Sequence, residues 1–225
     1  MAYTMTHILI AEELQHEFKR ELDYSTYILG TIAPDAVHAQ SDFRVEQKER
    51  SHLFAKGLRW GQIRDEKDSQ IWLESIKNYY LNNRHKYNID FLLGYIVHLL
   101  ADVYCSLHFY APFVNGIDGN YEEKMAQFKR ENYCVNYYFF ENFSKEKNLD
   151  DILRKGQPIT LEGIISKAVI ERRIEQLLEF EFKRWDISHI EEQKICKIED
   201  MECLIQGASL FIKKIFIDDY YLFGR

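Results

Sequence analysis

Apolar residues recur every three to four positions along most of the chain, the period of a helix with one buried face. Over 6–20, Ile8, Leu9, Ala11, Leu14 and Phe18 fall to one side, and over 68–84 Ile71, Trp72, Ile76, Tyr79 and Tyr80 do the same. Asn88 is placed as an N-cap, with Asp90 in the first turn, for a helix predicted over 89–108. Similar patterns predict helices over 120–144 and 160–184, and a long one with a charged face over 187–218. No alternating strand pattern of useful length is present, and 3 prolines and 10 glycines provide few breaks. The pattern predicts an all-α fold, a single-domain multi-helix bundle of roughly six to eight helices over 1–225. Two stretches escape the period, 30–54 and 110–123, and read as long loops, where function often resides.

Composition narrows the function. Of 225 residues, 46% are apolar and 29% charged, a globular profile. The net charge of -7 argues against sequence-independent binding of duplex nucleic acid, which needs a basic surface. It leaves room for a small phosphorylated substrate held by metal ions, which bring their own positive charge. The four cysteines form no CxxC pair, and the N-terminal run shows neither a basic n-region nor a cleavage site, so a cytoplasmic setting is expected. No transmembrane segment is expected: the apolar run 91–101 is short and bounded by Asp90 and Asp102.

One apolar segment carries unexpected chemistry. GYIVHLLADVYCSLHF, 94–109, holds His98, Asp102 and His108. Burying a carboxylate without a partner costs several kcal/mol or shifts its pKa. His98 and Asp102 are four residues apart and share a helix face, offering one nitrogen and one oxygen to a zinc-class ion, or simply a hydrogen-bonded core pair. Gly94, one turn earlier, leaves space for a backbone or a ligand. His108 lies about 80° off that face in a regular helix. Elsewhere, His7 reads as a ligand or a buried structural histidine. Asp35 reads as a ligand, an N-cap or a turn carboxylate, and His38 and His52 sit in the irregular stretch.

In order, THILIA with His7, GTIAPD with Asp35, RSHLF with His52, and the 94–109 segment with His98, Asp102 and His108 resemble the zinc-dependent phospholipase C family. The single-strand-specific zinc nucleases look like distant relatives. The likeness is concentrated in 5–110. It implies an all-α fold with zinc ions in a cleft between helices. Position by position, it implies that Asp35, His52, His98 and Asp102 hold one Zn2+, that His7 holds a second with Asp102 bridging, and that His108 matches a ligand of a third. The family completes that third site with a downstream His-x3-Glu, whereas here the only later histidine is His189, followed by Gln193 at the fourth position. One to two ions are therefore expected.

The implied chemistry is metal-dependent hydrolysis of a phosphoric ester, with Asp35 in the catalytic role of orienting or deprotonating water. The implied partner is a small phosphorylated substrate or lipid head group. Nitrogen and carboxylate ligands without cysteine suit zinc, with manganese or iron as alternatives. Phe43, Phe54, Tyr110, Phe113 and Tyr121 in the two irregular stretches read either as an apolar entrance or as core. Another class also fits: a non-catalytic helical metal-binding or partner-binding domain, whose structural site would be closed by four protein ligands. An HD-type phosphohydrolase needs an adjacent His-Asp dyad, which the chain lacks.

Overall fold

The computed structural model describes residues 3–55, 57–59, 61–63, 65–183 and 185–218. Ten α-helices run through them: α1 (Thr4–Leu14), α2 (Tyr24–Ile32), α3 (Val45–Ser51), α4 (Glu66–Asn83), α5 (Ile89–Cys105), α6 (Ala111–Asn115), α7 (Tyr121–Ser144), α8 (Leu149–Lys155), α9 (Lys167–Gln176) and α10 (Ile198–Ile212). A 3-10 helix, Pro34–Ala39, follows α2. The described residues contain no β-strand, only an isolated bridge between Leu161 and Ile165.

Helix α5 is the axis of the molecule. Asn88 caps it, its side chain accepting from the backbone N–H of Asp90 and Phe91. Every residue from Asp90 to Val103 is buried, and α1, α2, α4 and α10 pack around it. By length and composition alone, Ile89–Asn115 is apolar enough to cross a bilayer, but 89% of its apolar window is buried inside the protein, as in a core helix.

Helices α2 and α5 meet backbone to backbone. A Cβ on Gly94 would lie 1.9 Å from the Tyr27 carbonyl oxygen, and one on Gly30 2.2 Å from that of Phe91. Both obstacles are backbone, so neither helix can yield to a side chain here. The space foreseen at Gly94 is filled by a neighbouring helix, which also brings the end of α2 alongside His98.

Several boundaries differ from the pattern. Helix α1 stops at Leu14 because the following residues, Gln15 to Glu21, are mostly polar and offer little to bury. Helix α3 and the last residues of α2, from Gly30, occupy ground that read as irregular. The predicted helix over 160–184 begins only at Lys167, and residue 184 lies outside the described residues. The last one begins at Ile198: the buried Glu131 carboxylate takes the backbone N–H of Ile195 at 2.7 Å and of Cys196 at 2.9 Å, which ties that stretch to α7 instead of winding it. Three α-helices run on into π-helical turns, Ser106–Tyr110, Leu177–Glu181 and Lys213–Asp218.

Candidate metal centre

Five polar side chains converge where α1, α2, the end of α3 and α5 meet. His98 is held first. Its Nδ1 lies 2.6 Å from the carbonyl oxygen of Thr31 at the end of α2. A carbonyl only accepts, so Nδ1 carries the hydrogen and Nε2 presents a lone pair.

His52 is fixed in the same way. It follows the last residue of α3, and its Nδ1 lies 3.0 Å from the Lys48 carbonyl and 3.0 Å from Ser51 Oγ. Ser51 donates its own hydroxyl to that carbonyl, so Nδ1–H is the donor to both and Nε2 is turned to the centre. The backbone here is strained, with Leu53 in the left-handed region at φ 55. Three side chains hold it: the Tyr95 hydroxyl donates to the Ser51 carbonyl, Trp72 Nε1 to that of His52 at 2.6 Å, and Ser75 Oγ to that of Leu53 at 2.7 Å.

The two Nε2 atoms face each other at 3.3 Å, and Asp102 Oδ2 lies 3.3 Å from that of His52 and 3.7 Å from that of His98. The other carboxylate oxygen, Oδ1, points to His7 Nε2 at 3.6 Å. His7 stacks on His98, with ring centroids 3.6 Å apart and planes within 10°. Asp35, early in the 3-10 helix, places Oδ1 3.5 Å from His52 Nε2. It forms an ion pair with Lys48 Nζ at 2.8 Å, and His38 Nε2 lies 3.6 Å from the same oxygen. The side chains of His7, His52, His98 and Asp102 are at most 2% exposed, whereas that of Asp35 is 17% exposed.

Burial lowers the pKa of His7 below its ordinary value, and that of His98 further. For Asp102, burial pushes upward, but the imidazoles of His52, His7 and His98 reverse the sign and hold the carboxyl well below its usual range. For Asp35, burial is likewise overcome, chiefly by the Lys48 ammonium and then by His38. Near pH 7, His7 and His98 are thus neutral and both carboxylates ionised, the form in which these groups bind a metal.

Without a cation this arrangement is unsatisfied. Both ring nitrogens of His7 and Oδ1 of Asp102 are buried without a hydrogen-bond partner. Each such atom costs about 1–3 kcal/mol. The Nε2 atoms of His52 and His98 and a carboxylate oxygen of Asp102 face one point. Two ligand sets with donor atoms within 4.8 Å of one another result: His7, Asp35 and His98, and His52, His98 and Asp102. The donors are nitrogen and oxygen only, a set that suits zinc. The residues present therefore fit a metal ion. A neutral imidazole has a single lone pair, so His98 can serve one ion only. A carboxylate can serve two, and Asp102 turns one oxygen to each side.

Not every candidate is brought in. His108 belongs to neither ligand set: it is exposed, in the π-helical turn after α5, with its ring on Tyr104 at 4.1 Å. Already off the His98–Asp102 face in a regular helix, it is not returned to that face by the wider turn. His38 lies at the rim, its Nε2 3.1 Å from Lys48 Nζ. His16, His85 and His189 are exposed on the surface.

A cleft of about 700 Å³ opens on this centre through Asp35, His38 and Lys48. Its far wall carries Tyr3, Tyr133, Phe180 and Trp185, beside Arg173 and Glu181, which form an ion pair at 2.7 Å. Of the aromatic residues foreseen as an entrance, Tyr110 lines the cleft, Phe43 packs on His38, Phe54 on Trp72 and Phe113 on Phe128, and Tyr121 is exposed. Sequence reasoning passed over Lys48 and the far wall. For Lys48 a signal existed, since it stands four residues before His52 on one helix face. The far wall had no local signal, because only the fold brings Arg173, Phe180 and Trp185 to the same cleft as Asp35.

No curated protein and no solved structure matches the chain. A family model, described as zinc-dependent phospholipase C, matches residues 6–187, a span that holds all five converging side chains and, apart from Tyr3, the far-wall residues named above. The chain belongs to the zinc-dependent phospholipase C family.

Proposed function

We propose that this protein is a zinc-dependent phosphoesterase that hydrolyses a small phosphodiester or a lipid head-group ester at the inner end of the cleft. The supporting observation is the cluster of three imidazoles and two ionised carboxylates, with His98 and His52 aimed by backbone acceptors, at the end of an open cleft. Asp35, His52, His98 and Asp102 would hold one ion, and His7 with Asp102 a second. Bound there, zinc supplies Lewis-acid polarisation of a phosphoryl oxygen and activation of water near neutral pH.

The chain's own residues do the rest. Thr31 and Lys48, through their carbonyls, keep His98 and His52 in the ligating tautomer. Asp35 is the member of the centre that reaches the cleft, so it stands where it can orient the attacking water and take its proton. Water then adds to phosphorus, the ester P–O bond breaks, and the alcohol leaves with a proton. The far wall supplies apolar contact for the rest of the substrate. A closed structural site would need no such opening, which favours the catalytic reading over the non-catalytic one.

The test is the zinc content of the purified protein, together with turnover of phosphatidylcholine, bis-p-nitrophenyl phosphate and single-stranded nucleic acid. Wild-type protein is expected to hold one to two ions and to cleave one of the three, and His98→Ala to lose both properties. A protein that binds no transition metal, or a His98→Ala variant unchanged in metal and turnover, overturns the reading.

A further inference from the structure

In the scheme above Lys48 acts only through its backbone carbonyl, yet the placement of its side chain is costly. Lysine is almost never buried unless paired, and this residue is 8% exposed. It stands mid-way along α3, in a run, VEQKERS, in which Glu46 and Arg50 are exposed and Glu49 pairs with Arg59 at 3.3 Å. Its Nζ meets Asp35 Oδ1 at 2.8 Å and His38 Nε2 at 3.1 Å, at the point where the cleft reaches the centre.

The other cations of the cleft are placed differently. Arg173 is engaged by Glu181, Thr4 and Gln176 on the far wall, and Lys129 is exposed on α7. Lys48 is the cleft cation in contact with a carboxylate of the centre. An anion that reaches Asp35 from the cleft therefore meets this ammonium, a compact point charge suited to a phosphoryl oxygen. The chain as a whole carries a charge of -7, so a local cation at this spot matters for drawing a phosphate in.

We propose that Lys48 is a substrate-binding residue whose ammonium holds a phosphoryl oxygen of the ester beside Asp35, its pair with Asp35 aiming it into the cleft. The substrate class is then a phosphodiester with a free anionic oxygen, in contrast to a carboxylic ester or an uncharged phosphotriester. This inference rests on the phosphoesterase reading for its setting, but its central measurement is equilibrium binding.

The experiment titrates zinc-loaded protein with inorganic phosphate by calorimetry, for wild type, Lys48→Met and Lys48→Arg. Zinc content and thermal midpoint are recorded alongside. Lys48→Met is expected to keep its zinc and bind phosphate about 10- to 100-fold more weakly, the scale of one charge-assisted hydrogen bond. Lys48→Arg is expected to recover part of the loss. Wild-type binding in Lys48→Met with zinc retained, or no phosphate binding by wild type, overturns the proposal. So does loss of zinc in both variants, which would make Lys48 a support of the metal centre. If wild type binds phosphate through Lys48 but cleaves no phosphodiester, the proposal stands and the phosphoesterase reading fails. If it cleaves one and Lys48→Met binds phosphate and cleaves equally well, the reverse holds.

Discussion

The two sides of the cleft hold their side chains by different means. On the metal side, His98 and His52 each bond to a backbone carbonyl, that of Thr31 in α2, which is packed against α5, and that of Lys48 in α3. Gly30 and Gly94 set the spacing of the helices, and Tyr95, Trp72 and Ser75 pin three consecutive carbonyls behind His52. On the far side, side chains rest on other side chains. Tyr3 packs edge-on against Tyr133 at 4.7 Å, Tyr133 stacks on Trp185 at 5.0 Å, and Phe180 is 70% exposed. The first construction fixes atoms and tolerates little change. The second can change shape without disturbing the fold, which suits the part of a site that selects its substrate.

The largest effect expected from breaking this contrast is at the glycine contact. Gly94→Ala sets a methyl group against the Tyr27 carbonyl, and the added helix propensity cannot offset it. A loss of about 3 kcal/mol or more is expected, read as a fall of roughly 6–12 °C in thermal midpoint with loss of bound zinc.

Glu131→Gln probes how the chain beyond the far wall is tied down. The carboxylate is buried, and although burial opposes its charge, the N–H groups of Cys196 and Ile195 and the Gln127 amide bring its pKa below the ordinary 4.5. A depressed carboxyl stabilises the fold above its unfolded value and loses that contribution as pH falls below it. The variant is therefore expected to be about 2 kcal/mol less stable at pH 7, with the gap to wild type closing below pH 4.5. Urea titrations at pH 7 and pH 3.5 measure it.

His7→Phe keeps a ring against His98 and removes two unpartnered nitrogens. The zinc-free protein is expected to gain about 1–2 kcal/mol, while the zinc-loaded protein holds one ion fewer. A site that costs stability when empty and binds metal when filled would produce that opposite pair of results. The smallest effect is expected on the far wall. Phe180→Ala should change stability by less than about 0.5 kcal/mol and raise KM for a substrate with an apolar group, leaving kcat unchanged.

How much of this was legible in sequence follows the same division. His98 and Asp102 stood out because they interrupt a central helix, and His7 because it precedes an apolar run. Their burial is a local property of the pattern. Helix α2 was hidden by its β-branched Thr26, Ile28, Thr31 and Ile32 and by Gly30, all poor helix formers. Its stability comes from α5, some 60 residues away in sequence. Lys48 was hidden because one buried lysine inside a charged run looks like a solvated face. Its partners, Asp35 and His38, lie 13 and 10 residues earlier in the chain. The far wall depends on the packing of α9 against the 3-10 helix, which no spacing within either segment announces.

The Gly30–Gly94 contact also sets an order in time. It joins parts of the chain separated by 64 residues, so the closure entropy of that long loop must be met before the contact forms. The contact itself is made of backbone and needs no ion. Only after it forms do the Thr31 carbonyl and His98 come within reach, and only then does His98 acquire its ligating tautomer. Metal capture is therefore expected to follow folding rather than to template it. A chain denied zinc during synthesis should still reach its folded state and take up the ion afterwards.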